Sequence, residues 1–234
     1  MTKANYFNAA YFFVGDIHGC SKTFKHLVKE KIKLKRSDKL YCIGDYIDRG
    51  SDSKGVIDFI LQMRKKNYQV HTLRGNHEEM LLRSDEGRNS FSHWMESGGT
   101  KTLESFKVNS ITELKRVYLN FFKRTKYFIQ TKFFFAVHAG LNFYSDNPLA
   151  DKDAMLWIRD FPIDKNYLNN KLLIHGHSPK HSDFIISQKF ESPLNIDGGC
   201  VFKHKVGYGN LYDLNFTERN FIATKNIDFL KKNT

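Results

Sequence analysis

The sequence predicts an α/β protein with a parallel sheet and crossover helices in its first half and a second sheet in the remainder. Three observations predict it. Short apolar runs alternate with segments of helical periodicity between residues 10 and 73. Several of those runs end in a glycine followed at once by carboxylate, histidine or arginine. Beyond residue 125 the helical spacing gives way to short β-rich runs. Alternating β and α segments make parallel sheets, and open α/β sheets bind ligands at the C-terminal ends of their strands.

Residues 10–15 read as the first strand, and Ser21 can cap a helix with Phe24, Leu27 and Val28 on one face. Residues 39–44 are the second strand. Ser51-Asp52-Ser53 caps the next helix, which turns Val56, Ile57, Ile60, Leu61 and Met63 inward. Residues 68–73 form the third strand. Residues 78–125 are expected to be helical, with Ile111, Leu114, Val117, Tyr118, Phe121 and Phe122 on a buried face. Residues 127–130, 132–137, 172–175, 184–187 and 211–216 read as short strands of the second sheet. Without repeats or low-complexity linkers, and with only four prolines, the chain is expected to be one domain over residues 1–234.

A chain of 234 residues that is 41% hydrophobic can bury one sizeable core, and 21 Phe and 11 Tyr make that core aromatic. Cys20, Cys42 and Cys200 are far apart and lack CxxC spacing, as expected of reduced, buried residues in a cytoplasmic protein. No apolar run approaches the roughly 18–20 residues of a membrane span. The apolar N-terminal run continues straight into Gly15-Asp16, which marks a strand and not a signal peptide. The net charge of +12 comes from lysines distributed along the chain. With no RNA-binding signature or zinc finger beside them, they read as a solvated surface, and a nucleic-acid partner is not expected.

Five strand ends deliver residues suited to metals. Asp16 and His18 are alternate residues on an extended chain and so point to one side. Asp45 follows the second strand, Asn76 the third and His138 the aromatic strand, while His177 lies in His175-Gly176-His177-Ser178-Pro179. Oxygen and imidazole donors suit manganese, iron or zinc, and not the thiolate chemistry of structural zinc. Two such ions sharing a carboxylate clamp a phosphorus undergoing in-line attack.

The motifs Gly15-Asp16-Ile17-His18-Gly19, Gly44-Asp45-Tyr46-Ile47-Asp48-Arg49-Gly50 and Gly75-Asn76-His77-Glu78 resemble, in order and spacing, the signatures of the phosphoprotein phosphatase family of metallophosphoesterases. His138-Ala139-Gly140 and Gly176-His177 match its later histidines. Trp157-Ile158-Arg159 and Ile196-Asp197-Gly198-Gly199 resemble late motifs of its short bacterial and phage branch, the lambda-phosphatase-like members. The resemblance runs from Val14 to about Leu214. It implies the calcineurin-like fold, two mixed sheets in a sandwich flanked by helices. It also implies two divalent ions, manganese first among the choices. Asp16, His18 and Asp45 would hold one ion, and Asp45, Asn76, His138 and His177 the other. His77 would be the general acid, oriented by Asp48, and Arg49, Arg74 and Arg159 would hold the phosphoryl oxygens. His175 is left as support for His177, and Glu78 as support for a neighbouring loop.

The activity that the resemblance implies first is serine/threonine protein phosphatase, with phosphoproteins or phosphopeptides as substrates and a metal-activated hydroxide as nucleophile. Diadenosine tetraphosphate hydrolysis is the second reading, set behind because the Asp48-Arg49-Gly50 and Asn76-His77-Glu78 signatures are intact. A nuclease is disfavoured by Gly176-His177-Ser178-Pro179, which lacks a Gly-His-x-His ending. A non-enzymatic module is disfavoured by the complete ligand set. The basic segment 200–206 departs from the pattern and leaves the shape of the substrate rim open.

Overall fold

In a computed structural model, which describes residues 9–228, two sheets face each other through strands that are buried on both sides. The first sheet has the order β3-β2-β1-β8-β9, with β1 (Tyr11–Val14), β2 (Lys39–Cys42) and β3 (Gln69–Thr72) parallel. β8 (Asn210–Asn215) returns antiparallel beside β1, and β9 (Asn220–Lys225) pairs antiparallel with β8. The second sheet has the order β4-β5-β6-β7, from β4 (Phe128–Gln130), β5 (Phe134–Val137), β6 (Leu172–His175) and β7 (Leu194–Asn195). β5, β6 and β7 run parallel, and β4 is antiparallel to β5.

The two-residue period of a strand sorts the side chains into layers. Phe12, Val14, Leu40 and Cys42 face helices α1 (Ser21–His26) and α2 (Ser53–Lys65). Phe13, Tyr41 and Ile43 face the other way and meet Phe134, Ala136 and Ile174 between the sheets. Phe135, Val137 and Leu173 then point outward onto Met155 of helix α7 (Lys152–Trp157). The result is helix, sheet, sheet, helix, as the resemblance implied. The aromatic content is concentrated between the sheets. Phe134 meets Phe13 edge-on at 4.8 Å and Tyr41 at 5.2 Å. Asp52 caps α2 by accepting from the Gly55 N–H at 2.9 Å.

Several sequence expectations are corrected. Residues 211–216, expected in the second sheet, fall largely in β8, which pairs with β1 and closes the first sheet. Residues 184–187 were read as a strand, but lie in helix α8 (Ser182–Ser187). Only Ile185 there is buried, while Phe184 and Ile186 are exposed, so its apolar content is not a two-faced strand pattern. Residues 78–125 divide into α3 (Asn76–Arg83), α4 (Arg88–Trp94), α5 (Thr100–Phe106) and α6 (Arg116–Lys123), broken at Gly87 and at Gly98. Val117, expected inside, is half exposed. Strand β9 had no counterpart in the sequence reading. All three cysteines are buried and unbridged, and no helix among the described residues is long and apolar enough to cross a membrane.

Truncating Phe134 removes the ring that joins the two sheets, so Phe134→Ala is expected to destabilise the protein by about 3–5 kcal/mol. Denaturant unfolding measures this, and a loss below about 1 kcal/mol would contradict a load shared between the sheets through that ring.

Candidate metal centre

The parallel strands of both sheets end on one edge, and that edge gathers the residues the sequence singled out. Asp16 and His18 follow β1, Asp45 follows β2, Asn76 and His77 open α3 after β3, His138 follows β5 and His177 follows β6. Two compact triads form there, His18-Asp45-His77 and Asp45-His138-His177, each with donor atoms within 4.8 Å of one another. Asp45 belongs to both.

The loops reach this arrangement through backbone conformations that side chains rarely adopt. His18, Asp45, Asp48, Arg49 and His177 all have φ between 44° and 70°. Such left-handed residues cost about 1–3 kcal/mol each and persist where the surroundings overdetermine them. Here Glu78 is a principal restraint. Its carboxylate is buried and accepts from the N–H groups of Asp45 (2.8 Å), Tyr46 (2.9 Å) and Gly75 (2.9 Å). This ties the β2 loop to the β3 loop, the supporting role expected of it. Burial, with the Asp45 charge added, pushes the Glu78 carboxyl up to about 8. Gly44 has φ +113°, and a Cβ there would lie 2.6 Å from the Gly75 nitrogen and 2.8 Å from His138 Nδ1, so only glycine fits.

His77 Nδ1 lies 2.7 Å from Asp48 Oδ2. Burial alone would lower the His77 pKa, but the Asp45 and Asp48 carboxylates outweigh it and hold the imidazole above its usual value. Asp48 is itself fixed by Trp94 Nε1 at 3.0 Å and Thr102 Oγ1 at 2.6 Å. Neither was found from the sequence, because they lie 46 and 54 residues away and belong to no motif.

The donor set fits divalent metal. His138 Nδ1 lies 2.9 Å from the Ile43 carbonyl and must carry the proton, and burial lowers the His138 pKa so that the ring is neutral. Its bare Nε2 then faces Asn76 Oδ1 at 3.0 Å and Asp45 Oδ1 at 3.5 Å. These atoms converge in a buried space, as donors to a divalent ion do. His177 joins the cluster through Nδ1, 3.0 Å from Asn76 Oδ1, while its Nε2 is buried with no hydrogen-bond partner, and its pKa falls to about 3, mainly by burial. On the other side His18 Nδ1 lies 2.9 Å from the Ile47 carbonyl, and its Nε2 accepts from Arg49 Nη1 at 2.8 Å. That guanidinium occupies the lone pair a cation would use. Asp16 lies outside the compact triad on this side. Its carboxylate accepts from the His177 N–H at 3.2 Å, and burial together with Asp197 and Asp45 holds its pKa well above the carboxylate range. Asp197 is raised to about 7, chiefly by burial. Asp197 lies in the Ile196-Asp197-Gly198-Gly199 motif, from which the sequence alone yields no role for it. A cluster of buried carboxylates of this kind is costly without compensating cations. Burial opposes ionisation of Asp45, yet the surrounding imidazoles, His138 and His77 foremost, hold it below the usual range.

Of the three arginines, the structure brings Arg49 to the cluster and places Arg159 at its rim, with Nη1 3.4 Å from Ser178 Oγ. Arg74 is not brought there. Its guanidinium donates to Glu79 (2.8 Å), Thr125 (3.1 Å), Tyr127 (3.2 Å) and the carbonyl of Lys123 (3.1 Å). His175 is in neither triad, and its ring packs on Phe161 at 5.4 Å.

A two-sheet sandwich with histidine and aspartate donors on its strand-end edge is the architecture of a metal-dependent phosphoesterase. The chain belongs to the calcineurin-like phosphoesterase family, whose profile matches residues 11–216. Among curated relatives, an asymmetrical bis(5'-nucleosyl)-tetraphosphatase of Oceanobacillus iheyensis is 24% identical over 247 aligned positions, covering 92% of this chain and 96% of that protein. Among solved structures, a candidate diadenosine tetraphosphatase superposes with TM-score 0.65 at 19% identity, covering 94% and 95% of the two chains. A serine/threonine phosphatase of Saccharomyces cerevisiae superposes with TM-score 0.68 at 13% identity, over 96% and 82%. The family implies divalent metal ions.

Asp45→Asn is expected to reduce bound metal from about two ions per chain to fewer than one, because Asp45 belongs to both triads and a carboxylate shared by two ions would serve both. Elemental analysis of the purified variant measures this, and full occupancy would remove Asp45 from its bridging role.

Proposed function

We propose that this chain is a dinucleoside polyphosphate hydrolase acting on diadenosine tetraphosphate or a close analogue. The observation that carries this is a similarity to a bis(5'-nucleosyl)-tetraphosphatase running over nearly the whole of both chains. It corrects the expectation of a serine/threonine protein phosphatase with phosphoprotein or phosphopeptide substrates. The motifs that suggested that reading are read here as shared phosphoryl chemistry, and the substrate as a small nucleotide.

In this reading Asp16, His18 and Asp45 would hold one divalent ion, and Asp45, Asn76, His138 and His177 would hold the other, with manganese a suitable occupant. The ions supply, when bound, charge neutralisation and an activated water. Arg49 and Arg159 present planar donors to the oxygens of the attacked phosphate. Arg74 is a positioning residue that ties the β3–α3 turn to the segment ahead of β4. Water adds to phosphorus as the anhydride P–O bond breaks, and His77, held by Asp48, gives its proton to the departing phosphate oxygen. Glu78 keeps the Asp45 and Asn76 loops in register for that geometry.

The departing group matters to His77. A phosphate oxygen leaves as a stable anion and needs a proton less than a serine alkoxide does. His77→Asn is therefore expected to lower kcat on diadenosine tetraphosphate by no more than about 10²-fold, the low end of general-acid effects. An unchanged rate would remove His77 from catalysis.

The reading itself is tested by incubating metal-loaded protein with diadenosine tetraphosphate and a phosphothreonine peptide in parallel, and separating the products by chromatography. ATP plus AMP is the expected pair, following the asymmetrical designation of the full-length relative. Two ADP would move the attack to the central anhydride. Phosphate from the peptide with an intact dinucleotide would overturn the reading.

A further inference from the structure

Two partly exposed aromatic rings border the metal centre, one beside each triad. Trp157 is 39% exposed, and its ring stands edge-on to His177 with centroids 6.2 Å apart. Phe202 is 38% exposed and lies under the Arg49 guanidinium at 5.7 Å, the same guanidinium that donates to His18. The two rings therefore sit at the His177 end and the His18 end of a cluster that shares Asp45.

Both rings are held by the loops that carry the ligands. α7 is anchored where the Ala139 N–H, next to His138, donates to the Met155 carbonyl at 2.9 Å. Asp151 caps that helix by accepting from the Ala154 N–H at 2.9 Å. Trp157, at its last position, is thus fixed relative to His138. The Phe202 N–H donates to the Gly199 carbonyl at 2.8 Å, and the Gly199 N–H donates to Asp197 Oδ1 at 2.9 Å. Phe202 is thus fixed relative to the buried carboxylate beside Asp16. Neither ring is a loose surface residue.

Phosphoryl transfer uses neither ring. Metal ligands, arginines and His77 account for the phosphate. A partly exposed aromatic ring at each end suits a flat apolar group joined to a phosphate chain. Nucleobases stack on aromatic side chains whatever their sequence, because every base has a π-face. Basic residues around Phe202, among them Lys203 and Lys205, add positive charge beside that ring. A phosphoserine or phosphothreonine leaving group would bring no ring to either shelf.

We propose that Trp157 and Phe202 are specificity-determining residues, a pair of aromatic shelves on which the two nucleobases of a dinucleoside polyphosphate stack while its phosphate chain crosses the metal centre. This rests on the nucleotide reading above and names the groups that select the substrate.

Two measurements on the intact, metal-loaded protein test it. Trp157→Ala and Phe202→Ala should each raise the KM for diadenosine tetraphosphate about tenfold, in line with base–aromatic stacking, while kcat changes less than about threefold. Trp157→Phe and Phe202→Tyr should restore KM, which a purely structural role would not require. Fluorescence provides the second measurement. The other tryptophan, Trp94, is fully buried, so quenching by a methylene-bridged diadenosine tetraphosphate analogue, and not by tripolyphosphate, reports stacking on Trp157. If the wild-type protein cleaves the dinucleotide but both alanine variants keep its KM and the fluorescence is unmoved, the shelves are overturned and the nucleotide activity stands. An effect at only one ring overturns the paired arrangement. Failure of the wild-type protein to cleave any dinucleoside polyphosphate overturns both readings.

Discussion

The structure depends on one buried carboxylate. Asp45 sits in a left-handed loop at the end of β2, surrounded by His18, His77, His138 and His177 and almost without access to water. A carboxylate in that position is tolerable only if cationic or metallic partners compensate its lost hydration. Much else serves to place it. Glu78 accepts its backbone N–H, Gly44 lets the Gly75 loop pass within contact distance, and the His77 N–H donates to Oδ1 at 3.2 Å. Two sheets are needed because both contribute donors, four from the first and two from the second. β1, β2 and β3 bring Asp16, His18, Asp45 and Asn76, while β5 and β6 bring His138 and His177.

Most of the site was legible in the sequence, and the reason is local. Each candidate ligand follows a buried strand within one to four residues, so an apolar run ending in Gly-Asp or Val-His already places it at a strand end. The support behind the ligands was not legible. Trp94 and Thr102 fix Asp48 across dozens of residues, through helices whose breaks at Gly87 and Gly98 interrupt the helical spacing. Arg74 belongs to a motif yet turns away to Glu79 and Tyr127, because residue type records charge and not direction. The fold was readable to the same depth. Alternation identified the strands but not their sheet, so 211–216 was assigned to the wrong one. Long-range antiparallel pairing with β1 leaves no trace in local pattern.

The substrate was the hardest feature to read from motifs, for a physical reason. The signature residues touch the phosphate and the ions, which are common to esters and anhydrides. What distinguishes a dinucleotide from a phosphopeptide lies farther out, in rim residues such as Trp157 and Phe202. The intact Asp48-Arg49-Gly50 and Asn76-His77-Glu78 signatures therefore report the chemistry of attack and carry little about the group that leaves. The proposed nucleotide substrate rests instead on similarity that extends over the rest of the chain.

The most direct test of the central claim is a crystal soaked in manganese, with anomalous scattering measured at the manganese edge. Two peaks flanking Asp45, one between it and His18 and one among Asn76, His138 and His177, are the predicted result. A single peak, or two peaks with Asp45 bound to only one, would contradict a structure organised around a shared carboxylate.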